Sequence, residues 1–482
     1  MVFDKKIYLA GQLADSADRI TVTNPANESQ VGQVAAADCA QVELALAAAR
    51  DAFPGWRATP IAQRQRWMHR LRDAVIAHEE ELRDYIHQEM GKPWAGTLED
   101  FQSLVNSLQY YAEEITRIRA TELPDRAGTY QHRLVYEPVG VAVAFLAWNF
   151  PLLNLAFKLG PAMAAGCPII IRPSKATPIS AYAVGELCHE IGLPSGVVQI
   201  LATKSYEAAD ALSSSPVPAL LTLIGSTATG RHIMCTGAST IKRYSMELGG
   251  NAPALVFADA DLDHAADVIC ALKFNNAGQV CVTPNRVFVE ASILQEFAGK
   301  VADRAKATAV GFDKAKAIVT GPLIDGRAWQ RVKGLIDQAV KSGASLLAGG
   351  DRPAGLDQGH FLAPTVLGHV TSDMDIYGEE IFGPVVSLIT FEDHETLLER
   401  ANEGDDGGLT AYLFTADLAR ASWYAEHLRY GEVQINGVKY DIDLPHGGMG
   451  QSGIGHDCSY LALYDYLTIK RITSAIGGAS AS

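Results

Sequence analysis

Two side chains in this 482-residue chain carry the parts of covalent carbonyl chemistry. Cys281 lies in FNNAGQVCVT (274–283) and Glu247 in MELGGNAP (246–253), 34 residues earlier (281 − 247). Each sits in a short glycine-containing run that shows neither helical nor strand periodicity. A thiolate attacks an electrophilic carbon, and a carboxylate takes a proton. Cysteine is more often a small buried hydrophobe, and that reading is kept for Cys39, Cys167, Cys188, Cys235, Cys270 and Cys458. Glu247 is followed by Leu248, Gly249 and Gly250, where small residues let the backbone approach a ligand closely.

The elements that must position this pair fall into two alternating series. The first third reads as mainly helical, with helices over 40–53 and 60–90. The second of these opens at Pro60, closes at Gly91 and buries Trp67, Leu71, Val75, Leu82 and Ile86 on one face. From residue 136 the period changes. Short apolar runs at 140–146, 168–172, 197–201 and 220–224 read as strands, and 178–191 and 206–213 as helices. Such alternation implies βαβ units and a parallel sheet covered by helices on both faces. A second series follows Gly250, with strands at 252–257, 285–290 and 385–391 and helices at 262–274 and 394–402. Strand-like runs at 130–136 and 464–476 stand outside both series and suggest a hairpin extension.

Composition narrows the class. Hydrophobic residues make up 48% and charged residues 20%, as in ordinary globular proteins. The net charge of −15 argues against nucleic acid and anionic membrane partners. The most apolar stretch, 139–171, is broken by Asn149, Pro151, Asn154, Lys158, Pro161 and Pro168, so it is no membrane span. The N-terminus carries early charges and lacks a continuous apolar core, unlike a secretory signal. Seven scattered cysteines with no CxxC pair point to a reduced cytoplasmic protein. Neither HExxH nor Cys/His metal spacing is present, so no metal site is expected, and no GxSxG elbow appears.

Six motifs in order, AWNFP (147–151), RPSK (172–175), GST (225–227), MELGG (246–250), NAGQVC (276–281) and EIFGP (380–384), resemble the NAD(P)+-dependent aldehyde dehydrogenase superfamily over nearly the whole chain. The resemblance implies an α/β fold with a Rossmann-type cofactor domain (1–119 and 140–248), a second α/β catalytic domain (249–445) and a small β-hairpin oligomerisation extension (120–139 and 460–482) of a homodimer or homotetramer. It implies that Cys281 is the nucleophile, Glu247 the base that activates water, and Asn149 a donor to the oxyanion. Cofactor contacts would come from Trp148, Arg172, Ser174, Lys175, Gly225, Ser226, Leu248, Gly249, Glu380 and Phe382. Ser226 would meet the pyrophosphate at a helix start. Phe150, Leu153, Phe157, Val280 and Val282 would line the aldehyde tunnel, with Asn154 and the loop 438–446.

The chain departs from many relatives at 172–175. They carry Lys and Glu at the ends of this motif, where the chain has Arg172 and Lys175. Two cations suit a 2′-phosphate, so the cofactor reading leans to NADP over NAD. The segment 201–206 lacks the glycines common there, which brings Lys204 or Ser205 towards the same phosphate. Gly448 to Gly453 fits GxGxxG, but no strand–helix–strand unit comes after it, so it reads as a loop shaping the substrate mouth and leading into the terminal strand. Asp441 and Asp443 could hold a cationic tail and Lys439 an anionic one, or all three belong to a solvated loop. Glu247 disfavours a CoA-acylating enzyme. Keeping both Cys281 and Glu247 disfavours a non-catalytic protein on the same fold, and the nucleotide motifs disfavour a cofactor-free cysteine hydrolase.

Overall fold

The computed structural model describes residues 2–404 and 408–476, so the last part of the expected 460–482 extension lies outside the described residues. Five strands form a parallel core in the spatial order Arg243–Glu247, Pro218–Ile224, Val141–Phe145, Ile169–Arg172, Val198–Ile200. In chain order this is 5-4-1-2-3, and the sequence direction switches between Val141–Phe145 and Pro218–Ile224. Their continuous apolar runs follow from burial on both faces: all five residues of Val141–Phe145 are buried. Antiparallel strands close both edges, Gly453–Ile454 beside Arg243–Glu247 and Ile7–Leu9 with Gln12–Ala14 at the other end.

A second sheet runs Ser345–Ala348, Thr365–Gly368, Val385–Phe391, Arg286–Glu290, Pro253–Val256, Thr410–Phe414, Glu432–Ile435. All neighbours are parallel except the first pair. Alternate residues feed different cores: Leu255 and Phe288 pack into one, Ala254, Val256, Val287 and Val289 into the other.

Five expectations are corrected. The first third is not mainly helical from its start, because residues before Cys39 form five short strands. Segments of three to eight residues are too short to show a period. The expected helix 60–90 is two, Ile61–Ala77 and Glu79–Met90, broken at His78 (φ −113°, ψ 25°). Glu79, Glu80 and Glu81 favour a fresh N-terminus there, where carboxylates meet the positive end of the helix dipole. The hairpin extension has three strands, Leu467–Ala475 pairing Tyr130–Pro138, which pairs Thr121–Leu123. A short helix, Leu461–Asp465, occupies the beginning of the expected terminal strand. The GxGxxG loop ends as Gly453–Ile454, paired with Met246 and Glu247, so it braces the strand that carries Glu247. No helix among the described residues is long and apolar enough to cross a membrane.

Candidate active site

A cavity of about 1210 Å³ is lined from both sheets. The first sheet contributes residues at or just beyond the carboxyl ends of its strands. Val141–Phe145 runs on into Trp148 and Asn149, Ile169–Arg172 ends on Arg172, Pro218–Ile224 leads to Gly225 and Ser226, and Arg243–Glu247 ends on Glu247. The second sheet contributes loops entering its strands, together with the strand Glu432–Ile435 and the loop that follows it. Cys281 precedes Arg286–Glu290, and Glu380 and Phe382 precede Val385–Phe391.

Cys281 is half-buried and sits beyond a strained turn. The helix Leu262–Phe274 stops, and Asn276 (φ 50°), Ala277 (φ 54°) and Gly278 (φ 68°) all take left-handed backbone. Non-glycine residues pay for that conformation, so neighbours must hold it. Asn276 donates to the Asn149 carbonyl at 3.0 Å. The Gln279 amide donates to the Asn276 and Pro322 carbonyls at 3.0 and 3.2 Å and accepts from the Ile324 N–H at 2.9 Å. A Cβ on Gly278 would lie 2.2 Å from the Gly383 carbonyl oxygen, so the NAGQVC and EIFGP motifs meet backbone to backbone. Behind the thiol, Tyr412 donates to the Val282 carbonyl at 2.6 Å.

Asn149 is buried, and one of its amide donors goes to the Gln279 carbonyl at 3.0 Å. Asn154 donates to the Asn149 side-chain oxygen at 3.3 Å, which fixes the amide orientation. Pro151 then starts the helix Pro151–Ala165, a position where its missing N–H costs nothing.

Glu247 is buried, and among the described residues neither carboxylate oxygen has a hydrogen-bond partner. Burial pushes its carboxyl well above the ordinary range, with the His446 charge and then Lys158 opposing. Lys158 pairs with Asp457 at 2.6 Å, both buried. His446 Nδ1 lies 2.6 Å from Glu432 Oε1, and Nε2 lies 4.0 Å from Glu247 Oε2. Burial alone would push the His446 ring down, but hydrogen bonds with Cys281 and Glu432 and the Glu247 charge hold it well above its ordinary value.

On the nucleotide side, Ser226 caps the helix Thr227–Gly237, its hydroxyl accepting from the Thr229 N–H at 3.2 Å. Arg172 donates to Thr203 at 2.9 Å, and exposed Lys175 donates to the Lys204 carbonyl at 3.3 Å. Ser174 Oγ accepts from the Ala176 N–H at 3.3 Å. Trp148 meets Phe382 edge to face at 5.5 Å, and Phe382 itself has φ 47°. A Cβ on Gly249 would lie 2.2 Å from Glu380 Oε2.

The cavity thus gathers Cys281, Glu247, Asn149, Trp148, Arg172, Ser174, Lys175, Gly225, Ser226, Gly249, Glu380, Phe382, Phe150, Leu153, Phe157, Val280 and Val282. Leu248 is the exception. Its side chain is buried against Gly230, and its N–H donates to the Ser452 carbonyl at 3.0 Å. Lys204 and Ser205 are not among the lining residues either. Lys204 lies 3.8 Å from Asp18, and Ser205 caps the helix Tyr206–Ser214. Lys439 and Asp441 pair with each other at 2.9 Å. Sequence reasoning missed the Lys158–Asp457 and Glu432–His446 pairs. A lone lysine inside an otherwise apolar helix was the available signal for the first. The second had none.

The chain matches the Aldehyde dehydrogenase family over residues 13–472. It is 37% identical over 468 residues to the mitochondrial succinate-semialdehyde dehydrogenase of Arabidopsis thaliana, covering 96% of this chain and 88% of that protein. It is 35% identical over 458 residues to the succinate-semialdehyde dehydrogenase [NADP(+)] GabD of Escherichia coli strain K12, covering 95% and 94%. The crystal structure of an aldehyde dehydrogenase from Brucella melitensis biovar abortus 2308 superposes with TM-score 0.95 at 37% identity over 98% of both chains. A thiol on a held turn, a buried carboxylate and a dinucleotide-sized cleft at the sheet switch point agree with that match, and the chain belongs to the aldehyde dehydrogenase family.

Proposed function

We propose that this enzyme oxidises its aldehyde through covalent catalysis by Cys281, with Glu247 as the general base and Asn149 in the oxyanion site. The overall reaction is oxidation of an aldehyde to the carboxylic acid with NAD(P)+, without acyl transfer to CoA. The observation that carries the assignment is the meeting of these three side chains in one cavity. The Cys281 sulfur adds to the aldehyde carbon. The second Asn149 N–H, not used on Gln279, faces the oxygen that gains charge. The residues fit a dinucleotide. Ser226 is exposed at a helix start, Arg172 and Lys175 supply cations, and the bare Gly249 leaves room beside Glu380. When bound, the nicotinamide supplies the hydride acceptor that turns the thiohemiacetal into a thioester. Glu247, with no hydrogen-bond partner for either oxygen among the described residues, takes a proton from the water that hydrolyses this thioester.

The cofactor leans to NADP+, since the 172–175 motif presents two cations and no carboxylate to a 2′-phosphate. We read 1–119 and 140–248 as the cofactor domain and 249–445 as the catalytic domain, supported by the two separate sheets. The extension at 120–139 and 460–482 is read as an oligomerisation element of a cytoplasmic homodimer or homotetramer. Its edge strand Leu467–Ala475 exposes Ile469 and Ile472, an unusual surface for a strand to leave uncovered. The test is pre-steady-state kinetics over a panel of aliphatic, aromatic, cationic and anionic aldehydes with both cofactors. A single-turnover burst of reduced nicotinamide that persists in Glu247→Gln while turnover stops supports the assignment. Full activity in Cys281→Ala refutes it.

A further inference from the structure

Glu432 and His446 are not needed by the proposed scheme, yet they line the cavity that holds its nucleophile. Glu432 opens the strand Glu432–Ile435, and His446 ends the loop after that strand. Paired backbone bonds with Asp457, at 2.8 and 2.7 Å, pin the His446 backbone. Its Nδ1 is committed to Glu432 Oε1 at 2.6 Å, and the other Glu432 oxygen accepts from Thr410 at 3.3 Å. Nε2 is left for the cavity, 4.0 Å from Glu247 Oε2. Cys281 lines the same cavity as this ring and is one of the groups that raise it. Phe157 and Tyr440 flank the ring at 6.4 and 6.3 Å between centroids. Nucleophile, base and a carboxylate orienting the base are the three parts of an activated thiol.

Resting on the reading of Cys281 as nucleophile, we propose that His446, oriented by Glu432, takes the Cys281 thiol proton, leaving Glu247 to serve water alone. A carboxylate on Nδ1 favours the tautomer with hydrogen there, so Nε2 is the acceptor. The S–H bond breaks and an Nε2–H bond forms. A sulfur lone pair bonds the aldehyde carbon while the carbonyl π pair moves to oxygen. When the thiolate is expelled as the acid forms, the proton returns from Nε2 to sulfur, so the pair ends unchanged. The groups facing the imidazolium are Glu432 and Thr410 from the second sheet, Glu247 from the first, Cys281 and Tyr440. The Lys158–Asp457 pair acts on Glu247 with opposing charges, Asp457 raising its carboxyl and Lys158 lowering it. The net surroundings are anionic and hold the proton on the ring.

The experiment is iodoacetamide alkylation of the full-length enzyme against pH, read by mass spectrometry of the Cys281 peptide. Because thiolate is the reacting form, His446→Gln should slow alkylation at pH 6.5 by about 10-fold or more and move the half-maximal pH upward. Glu432→Gln should move it the same way by less, and it carries the test if His446→Gln fails to fold. Glu247→Gln removes one of the charges that raise the ring and should move the half-maximal pH by less than His446→Gln does. An unshifted His446 variant, or a larger shift in Glu247→Gln than in His446→Gln, overturns the role of His446. If Cys281→Ala stays active, the nucleophile reading itself falls. If Cys281→Ala is dead while the His446 profile is unmoved, only the role of His446 falls.

Discussion

The two large sheets reach the cavity from opposite polarities. The first presents the carboxyl ends of its strands, carrying Asn149, Arg172, Ser226 and Glu247, and the second, apart from the strand Glu432–Ile435 and the loop after it, presents the loops entering its strands, carrying Cys281, Glu380 and Phe382. Residues of the first kind are placed by regular strands, and ligands gather at such ends in open α/β sheets. Residues of the second kind are placed by loop geometry. The thiol is reached through three consecutive left-handed residues braced by Asn149, Gln279 and Gly383. Apart from the thiol itself, side-chain chemistry should therefore dominate the response of the first region to substitution, and backbone constraint that of the second.

The largest expected effect is at the thiol. Cys281→Ala should lower kcat/KM by at least ~10⁴-fold, as for other covalent nucleophiles. A smaller loss would mean that the loop is not the chemical centre. Glu247→Gln should cost ~10²–10⁴-fold in turnover while the nicotinamide burst remains. The same pair gives a pH signature. Only the ionised Glu247 can accept a proton, and burial raises its carboxyl well above the ordinary range. Turnover should thus climb with pH above that range, and stopped-flow profiles of Glu247→Gln should lack the climb. Asn149→Ala should lower kcat by ~10²–10³-fold.

The contrast itself is tested with two glycines. Gly278→Ala meets the Gly383 carbonyl at 2.2 Å in left-handed backbone and should lose roughly 1–3 kcal/mol of stability by chemical denaturation. Gly225→Ala meets only the Leu223 side chain, at 3.0 Å, so it should fold normally and change cofactor KM instead. Equal melting behaviour of the two would erase the distinction. Smallest, Lys175→Ala should cut the kcat/KM ratio of NADP+ to NAD+ by about 10-fold, the worth of one charge-assisted contact. An unchanged ratio would leave Lys175 a solvated residue.

This polarity also explains what the sequence disclosed. Central strands were legible because burial on both faces makes them uninterrupted apolar runs, as at Ile169–Arg172. Cys281, Glu247 and Asn149 were legible through their motifs. The break at His78 was hidden because it uses neither proline nor glycine. The early strands, several of them only three residues long, carry too little pattern to register. Glu432 and His446 acquire meaning only when the fold sets them beside Cys281 and Glu247, which belong to distant parts of the chain. Leu248 shows the converse. It stands within a motif, but its side chain serves the core.

The Lys158–Asp457 pair joins the helix after the first core strand to a segment 299 residues further along the chain. A buried ammonium without its counter-charge is strongly destabilising. During synthesis the N-terminal sheet can assemble long before Asp457 leaves the ribosome, yet Lys158 then has no partner and the wall behind Glu247 is unfinished. A nascent or truncated chain that lacks Asp457 would therefore be chemically silent, and a reactive thiol would be armed only in molecules whose translation had passed that residue.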